Sequence, residues 1–185
     1  MTARIKPSPP PYAPEVQAQL DRLTPPGKQP LALFTLLAGH PRLFQRFSGG
    51  ALLDKGHLTL RQRELVICRI TARSGCEYEW GVHVTFFGQK AGLTQPQVES
   101  LARGSPDDAC WPEDEERILI RACDALHETC DLDDDLWDAL SRRFDEPARL
   151  ELLMLAGFYR TVSYLANAAR LPLESFAARF PPPRG

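Results

Sequence analysis

The segment Gly75-Cys76-Glu77-Tyr78-Glu79-Trp80-Gly81-Val82-His83 holds a thiol, a carboxylate and an imidazole at Cys76, Glu79 and His83. On a helix these residues fall at i, i+3 and i+7, on one face. Upstream, Thr59-Leu60-Arg61-Gln62-Arg63-Glu64 reads as the capped start of another helix that can bring a second carboxylate, Glu64, to the same place. Groups of this kind, gathered together, suit general acid–base work. Trp80, Phe86 and Phe87, interleaved among them, would exclude water. A buried polar network that only fixes packing is the competing reading of the same residues.

The elements that must position these groups are helical, because proline recurs where a first turn would start and glycine where a helix would stop. The spacing predicts helices over 13–23, 31–38 and from Pro41, the last interrupted at Gly49-Gly50. Thr59 with Gln62 forms a capping box that starts a helix over 60–73, and Ser74-Gly75 ends it. The reactive stretch then begins a new helix at about Cys76 that runs to Ala91, with Gly92 as its stop. Thr94 and Gln97 cap a short helix over 96–102. Pro112 opens a long helix with acidic residues in its first turn, and Asp133 caps the next. Pro147 opens the most apolar helix, over 148–169, expected to be central or to lie in a subunit interface. Within it Met154 reads as core filler, while Tyr159 and Asn167 read as partners in interhelical hydrogen bonds or as groups reaching the site. A last helix over 173–180 is expected. No alternating strand pattern appears, so the fold class is all-α. The domain reading is a flexible, proline-rich arm over 1–11, one helical domain over 12–180 and a tail over 181–185.

The chain has 185 residues, 43% of them hydrophobic, and a net charge of -2. It is ordinary globular material without the field that draws a protein to nucleic acid. The first residues lack the apolar core of a signal peptide, and no stretch approaches the roughly 20 apolar residues that span a bilayer. A soluble, cytoplasmic protein without nucleic-acid or membrane partners is the expectation. Five cysteines form no regular framework, so reduced thiols are expected, with Cys123 and Cys130 as packing residues. A metal is not expected, since His40, His57 and His127 lie far in sequence from His83 and a Glu-x-x-x-His pair alone makes a poor ligand set. The run Asp131 to Asp135 lacks the glycine and the closing glutamate of a calcium loop and reads as helix capping.

The segments Leu60-Arg61-Gln62-Arg63-Glu64-Leu65-Val66-Ile67, Gly75-Cys76-Glu77-Tyr78-Glu79-Trp80 with His83, and Ala91-Gly92-Leu93-Thr94 resemble the carboxymuconolactone decarboxylase and alkylhydroperoxidase D-like (AhpD-like) family. The likeness extends outward through Pro41-Arg42-Leu43-Phe44 and Phe158-Tyr159-Arg160-Thr161-Val162. It implies an AhpD-like helical bundle around a central helical hairpin, acting on a small-molecule substrate without a cofactor. It also implies assembly into a homo-oligomer (a trimer, hexamer or dimer). In the family's thiol-peroxidase branch a Cys-x-x-Cys pair works with a His and an upstream Glu. Glu64, Cys76 and His83 occupy those places, but Glu79 stands where the second cysteine would be.

Glu79 cannot resolve a sulfenic acid, and an ionised carboxylate beside Cys76 raises the thiol pKa. The decarboxylase branch needs no redox cysteine. The resemblance therefore implies acid–base, decarboxylase-type lyase chemistry on a small carboxylate or lactone by Glu64, Glu79 and His83. Tyr78 and Trp80 would shape the pocket, with Arg61, Arg63, Arg69 and Arg73 available as anion clamps. A peroxiredoxin-like antioxidant oxidoreductase using Cys76 with an external thiol is the alternative, and a non-catalytic helical oligomer the second alternative.

Overall fold

The computed structural model describes residues 3–183. Met1 and Thr2 of the expected arm, and Arg184 and Gly185 of the expected tail, lie outside them. Among the described residues the chain is all helix and connection: α1 (Pro14–Leu23), α2 (Ala32–Ala38), α3 (Pro41–Ser48), α4 (Leu60–Arg73), α5 (Glu77–His83), a π-helical turn (Val84–Gly88), α6 (Gln95–Arg103), α7 (Asp114–Thr129), α8 (Asp134–Ser141) and α9 (Glu146–Ala169). None of these helices is long and apolar enough to cross a membrane.

Helix α4 is the hub, packed by α5, α6, α7 and α9. Every residue from Glu64 to Thr71 is buried, polar ones included, so its Arg69 must find partners inside. It does: Arg69 Nε and Nη2 donate to Asp124 on α7 at 2.6 and 2.7 Å, and Nη1 donates to the carbonyls of Ser100, Leu101 and Gly104. A buried guanidinium satisfied on all sides locks α4 to α6 and α7.

Both ends of α4 are fixed locally. Gln62 N donates to Thr59 Oγ1 at 3.2 Å while Thr59 N donates to Gln62 Oε1 at 2.8 Å, the expected capping box. At the other end the amide of Cys76 donates to the Thr71 carbonyl and that of Gly75 to the Ala72 carbonyl, with Gly75 at φ +62°. Only glycine takes that conformation without a steric penalty, and the chain reverses there to lay α5 back along α4.

Three expectations are corrected. Residues 173–180 form turns rather than a helix, because their amides are spent outward: Ala178 N on Thr85 Oγ1 at 2.9 Å and Phe180 N on Glu77 Oε1 at 2.9 Å. Helix α9 buries one face against α4, α5 and α8 and leaves the other exposed. Met154, on its opposite face, is 62% exposed and is not core filler. Cys130 is exposed because α7 ends at it in a left-handed conformation, whereas Cys123 is fully buried as expected.

Candidate active site

Helix α5 is short. Cys76 is the residue before its first turn, Glu79 lies in that turn, and His83 closes it. Beyond His83 the helix widens into a π-helical turn, a feature frequent at functional sites. The carbonyl of Gly81 accepts from Thr85 Oγ1 at 2.8 Å and from the Ala178 amide at 3.3 Å, which fits that widening. Gly81 is required here, since a Cβ would run into the Ala178 carbonyl oxygen. The C-terminal segment is thereby strapped across α5.

Helix α4 delivers Glu64 from the other side. Glu64 Oε2 lies 2.7 Å from His83 Nδ1, and His83 Nε2 lies 3.4 Å from Glu79 Oε1. The imidazole is thus held between two carboxylates, closely by one and loosely by the other. All three are buried: Glu64 is 0%, His83 3% and Glu79 6% exposed. Glu64 Oε1 accepts from Arg63 Nε at 3.2 Å, whereas Glu79 Oε2 is buried without a hydrogen-bond partner.

Burial disfavours a charged imidazole, but the hydrogen bonds and negative charge of Glu64 and Glu79 outweigh it and raise the His83 pKa to about 9. At neutral pH the buried imidazole therefore carries its proton. Cys76 behaves differently. Its thiol is fully buried, and burial pushes its pKa up to about 11 despite the Glu79 and Tyr78 amides and the Ser163 hydroxyl that favour a thiolate. Cys68 is raised too, by burial and then by Glu64 and Glu79.

A cavity of about 830 Å³ opens onto the trio and takes in Glu79, His83 and Tyr159. Its wall is mostly apolar and carries the rings of Phe34, Phe47, Phe86, Phe87, Phe158 and Phe176, with Thr24, Lys28, Lys90 and Glu174 among its polar members. Tyr159 sets its ring edge-on to His83, centroids 5.1 Å apart, and Phe87 covers the imidazole at 5.3 Å. Of the residues expected at the site, Glu64 and Cys76 lie behind this wall and do not line it. Tyr78 and Trp80 do not line it either. Tyr78 Oη donates to Glu174 Oε1 at 2.7 Å and accepts from Leu33 N at 3.1 Å, while Trp80 packs on Phe180.

The four arginines available as clamps are engaged elsewhere. Arg61 pairs with Glu116, Arg69 with Asp124, Arg73 with Asp124 and Glu128, and Arg63 with Glu64 and the Leu53 carbonyl. Among the described residues, no group of three or more His, Cys, Asp and Glu side chains is placed to hold a metal ion. Both His83 nitrogens already face carboxylates.

Residues 38–118, which carry Glu64, Cys76, Glu79 and His83, match the carboxymuconolactone decarboxylase family. This segment belongs to that family. No curated protein matches the chain in sequence. In fold the chain is similar to an uncharacterized peroxidase-related protein from Silicibacter sp. TM1040, at 16% identity and TM-score 0.78, covering 95% of this chain and 96% of that one. It is similar as well to an AhpD-core, peroxidase-related protein from Ralstonia eutropha JMP134, at 15% identity and TM-score 0.73 over 94% and 95% of the two chains. A cysteine-to-alanine form of the debrominase Bmp8, in complex with 2,3,4-tribromopyrrole, matches at 15% identity and TM-score 0.78 over 95% and 94%. The fold is therefore AhpD-like and all-α.

Among the contributors to the site that lie outside the matched segment are two polar ones, Tyr159 and Glu174. Tyr159 comes from α9, and Glu174, which braces Tyr78 and accepts from Ala32 N at 2.8 Å, comes from the C-terminal strap. Tyr159 was legible as a polar group on an apolar helix, and it reaches the site. Asn167 instead donates to the Ser74 carbonyl at 3.0 Å, the bonding role expected of it. Nothing local in the sequence marks Glu174.

Proposed function

We propose that this protein is a cofactor-independent proton-transfer enzyme in which Glu79 is the base that meets the substrate. The observation that carries the reading is Glu79, a residue that lines a mostly apolar cavity and keeps one buried carboxylate oxygen, Oε2, without a hydrogen-bond partner. A carboxylate oxygen with no hydrogen-bond partner is free to accept a proton from a bound molecule. His83 holds the other oxygen and, as an imidazolium, supplies the proton or stabilises the negative charge left after transfer. Glu64 is a positioning residue: it fixes the imidazole orientation and keeps it charged.

In the forward step a carbon-bound proton moves to Glu79 Oε2 and its electron pair delocalises into the adjacent carbonyl of the substrate. The same proton, or one from His83 Nε2, returns to the product. This supports lyase or isomerase chemistry on a lactone or another carbonyl compound. It does not favour a dicarboxylate, for which the cavity wall offers no guanidinium. Removal of the base should cost about 10²–10⁴ in rate, the usual range for general acid–base catalysis.

A second reading, thiol chemistry at Cys76, draws on its place before α5, where two amides and Ser163 face the sulfur. The names of the fold neighbours also include peroxidases. Its full burial, its raised pKa and its position behind the cavity wall weigh against it. Deuterium uptake from D₂O into a carbonyl probe, compared between Glu79→Gln and Cys76→Ser, tests the two readings against each other. The exposed stripe of α9 that carries Leu150, Met154 and Tyr164 supports self-assembly as an oligomer.

A further inference from the structure

The geometry points to a ligand class for the cavity: a planar, uncharged aromatic molecule with one N–H or O–H donor, whose hydrogen takes on Glu79 Oε2 the place of the carbon-bound proton that the reaction removes. This deepens the proton-transfer reading and rests on the same cavity being the reaction site.

Three features of the wall argue for it. The first is polarity of the right sign. Glu79 Oε2 is a buried, unpartnered acceptor on a residue that lines the cavity, so it rewards a ligand that donates and penalises one that brings another acceptor. Glu174, the other carboxylate on the wall, is already taken at Oε1 by the Tyr78 hydroxyl and the Ala32 amide. Thr24 Oγ1, also unpartnered on this wall, can donate as well as accept, which leaves Glu79 Oε2 as the buried carboxylate oxygen without a partner.

The second is charge. At the inner end two carboxyl groups, Glu64 and Glu79, flank one imidazole and no guanidinium lines the wall, so an anion finds poor electrostatic complement there in a medium that screens weakly. The cations on the wall, Lys28 and Lys90, are exposed, and the Lys90 ammonium sits over the Phe87 ring at 5.6 Å. They stand at the solvent edge rather than at the acceptor. An anionic ligand would thus be held at the rim, away from the base.

The third is shape. Phenylalanines from α2, α3, the π-helical turn, α9 and the C-terminal strap converge on the cavity. Phe86 meets Phe176 at 5.3 Å and Phe47 meets Phe158 at 5.1 Å, both tilted. Walls of ring faces and edges on several sides favour a flat aromatic guest over a flexible chain. A volume of about 830 Å³ accommodates a two-ring molecule.

The test reads binding alone, by titration calorimetry at pH 7 with three naphthalenes of nearly equal size. They are neutral 2-naphthol, 2-methoxynaphthalene with the donor removed, and the anion 2-naphthoate. The wild-type protein should bind 2-naphthol at least about 10-fold more tightly than either of the others, a gap of about 1.4 kcal/mol. Glu79→Gln should shrink both gaps, with thermal unfolding confirming that the variant is folded. Equal binding of 2-naphthol and 2-methoxynaphthalene, tighter binding of 2-naphthoate, or no binding of 2-naphthol would overturn the inference. Because no turnover is measured, failure here leaves the proton-transfer reading to its own deuterium-exchange test.

Discussion

Glu64 Oε2 approaches His83 Nδ1 to 2.7 Å, while Glu79 Oε1 stays 3.4 Å from Nε2 of the same ring. The unequal distances divide the labour. Glu64 anchors the imidazole, and Glu79, which lines the cavity, is left with one weakly held oxygen and one buried oxygen without a partner. The inner end of the site is thus tightly bonded and the outer end is available.

The charge state of His83 follows from this pairing. Its pKa, about 9 in the folded protein, should fall towards the usual imidazole value in Glu64→Gln, because that variant removes the closer carboxylate. An NMR titration of the imidazole Cε1–H resonance, wild type against variant, reads it directly. A wild-type His83 that titrates at or below 6.5 would contradict the described trio.

Stability should follow the same group. A histidine whose folded pKa of about 9 exceeds its unfolded value of 6.5 contributes fully below pH 6.5 and loses that contribution as pH rises through 9. The linkage amounts to about 3 kcal/mol across that window. Burial of Cys76, with its thiol at about 11, acts in the same direction at higher pH, so the window from 6.5 to 9 isolates His83. Urea unfolding at steps across this range should show a falling midpoint, and the fall should be much reduced in His83→Gln.

Cysteine accessibility separates the two chemistries. With its thiol pKa near 11, Cys76 has about one thiolate in 10⁴ at pH 7, and burial shields even that fraction. Native labelling with iodoacetamide should mark Cys130 and then Cys110, leaving Cys68, Cys76 and Cys123 until the protein is unfolded. Peptide mapping reads the order, and early labelling of Cys76 would favour the thiol reading.

Most of the fold was legible because its signals are local. The Thr59–Gln62 box, Gly75 and Asp133 act within a few residues and set their helix ends as the sequence implies. Glu64, Glu79 and His83 were legible for a related reason: helical spacing aligns two of them, and a short reversal at Gly75 brings the third. What was not legible depends on contacts between distant segments. The hub proved to be α4 rather than the more apolar α9, since burial of α4 is completed by Arg69 and Glu64 finding partners on other elements. Tyr78 and Trp80, adjacent to Glu79 in sequence, turn to other faces of α5 and miss the cavity. Glu174, nearly a hundred residues on, braces its edge.

The strap that supplies Glu174 is testable by itself. In Gly81→Ala the new methyl group meets the Ala178 carbonyl oxygen, which is backbone and cannot swing aside. The strap must lift, breaking the Ala178 and Phe180 amide bonds to Thr85 and Glu77. A loss of about 1–3 kcal/mol is expected, as for other overpacked sites, read from the urea midpoint. The same variant should bind cavity ligands more weakly, since Phe176 travels with the strap.

The central claim is that Glu79, not Cys76, does the chemistry. The most direct measurement is proton NMR of 2-tetralone in D₂O with enzyme present, following loss of the C1 protons, which are acidic and flanked by an aromatic ring and a neutral carbonyl. Wild type and Cys76→Ser should exchange them at similar rates above the buffer background, and Glu79→Gln should be slower by about 10²-fold or more. Exchange abolished by Cys76→Ser and retained by Glu79→Gln, or no enzyme-dependent exchange at all, would contradict the account.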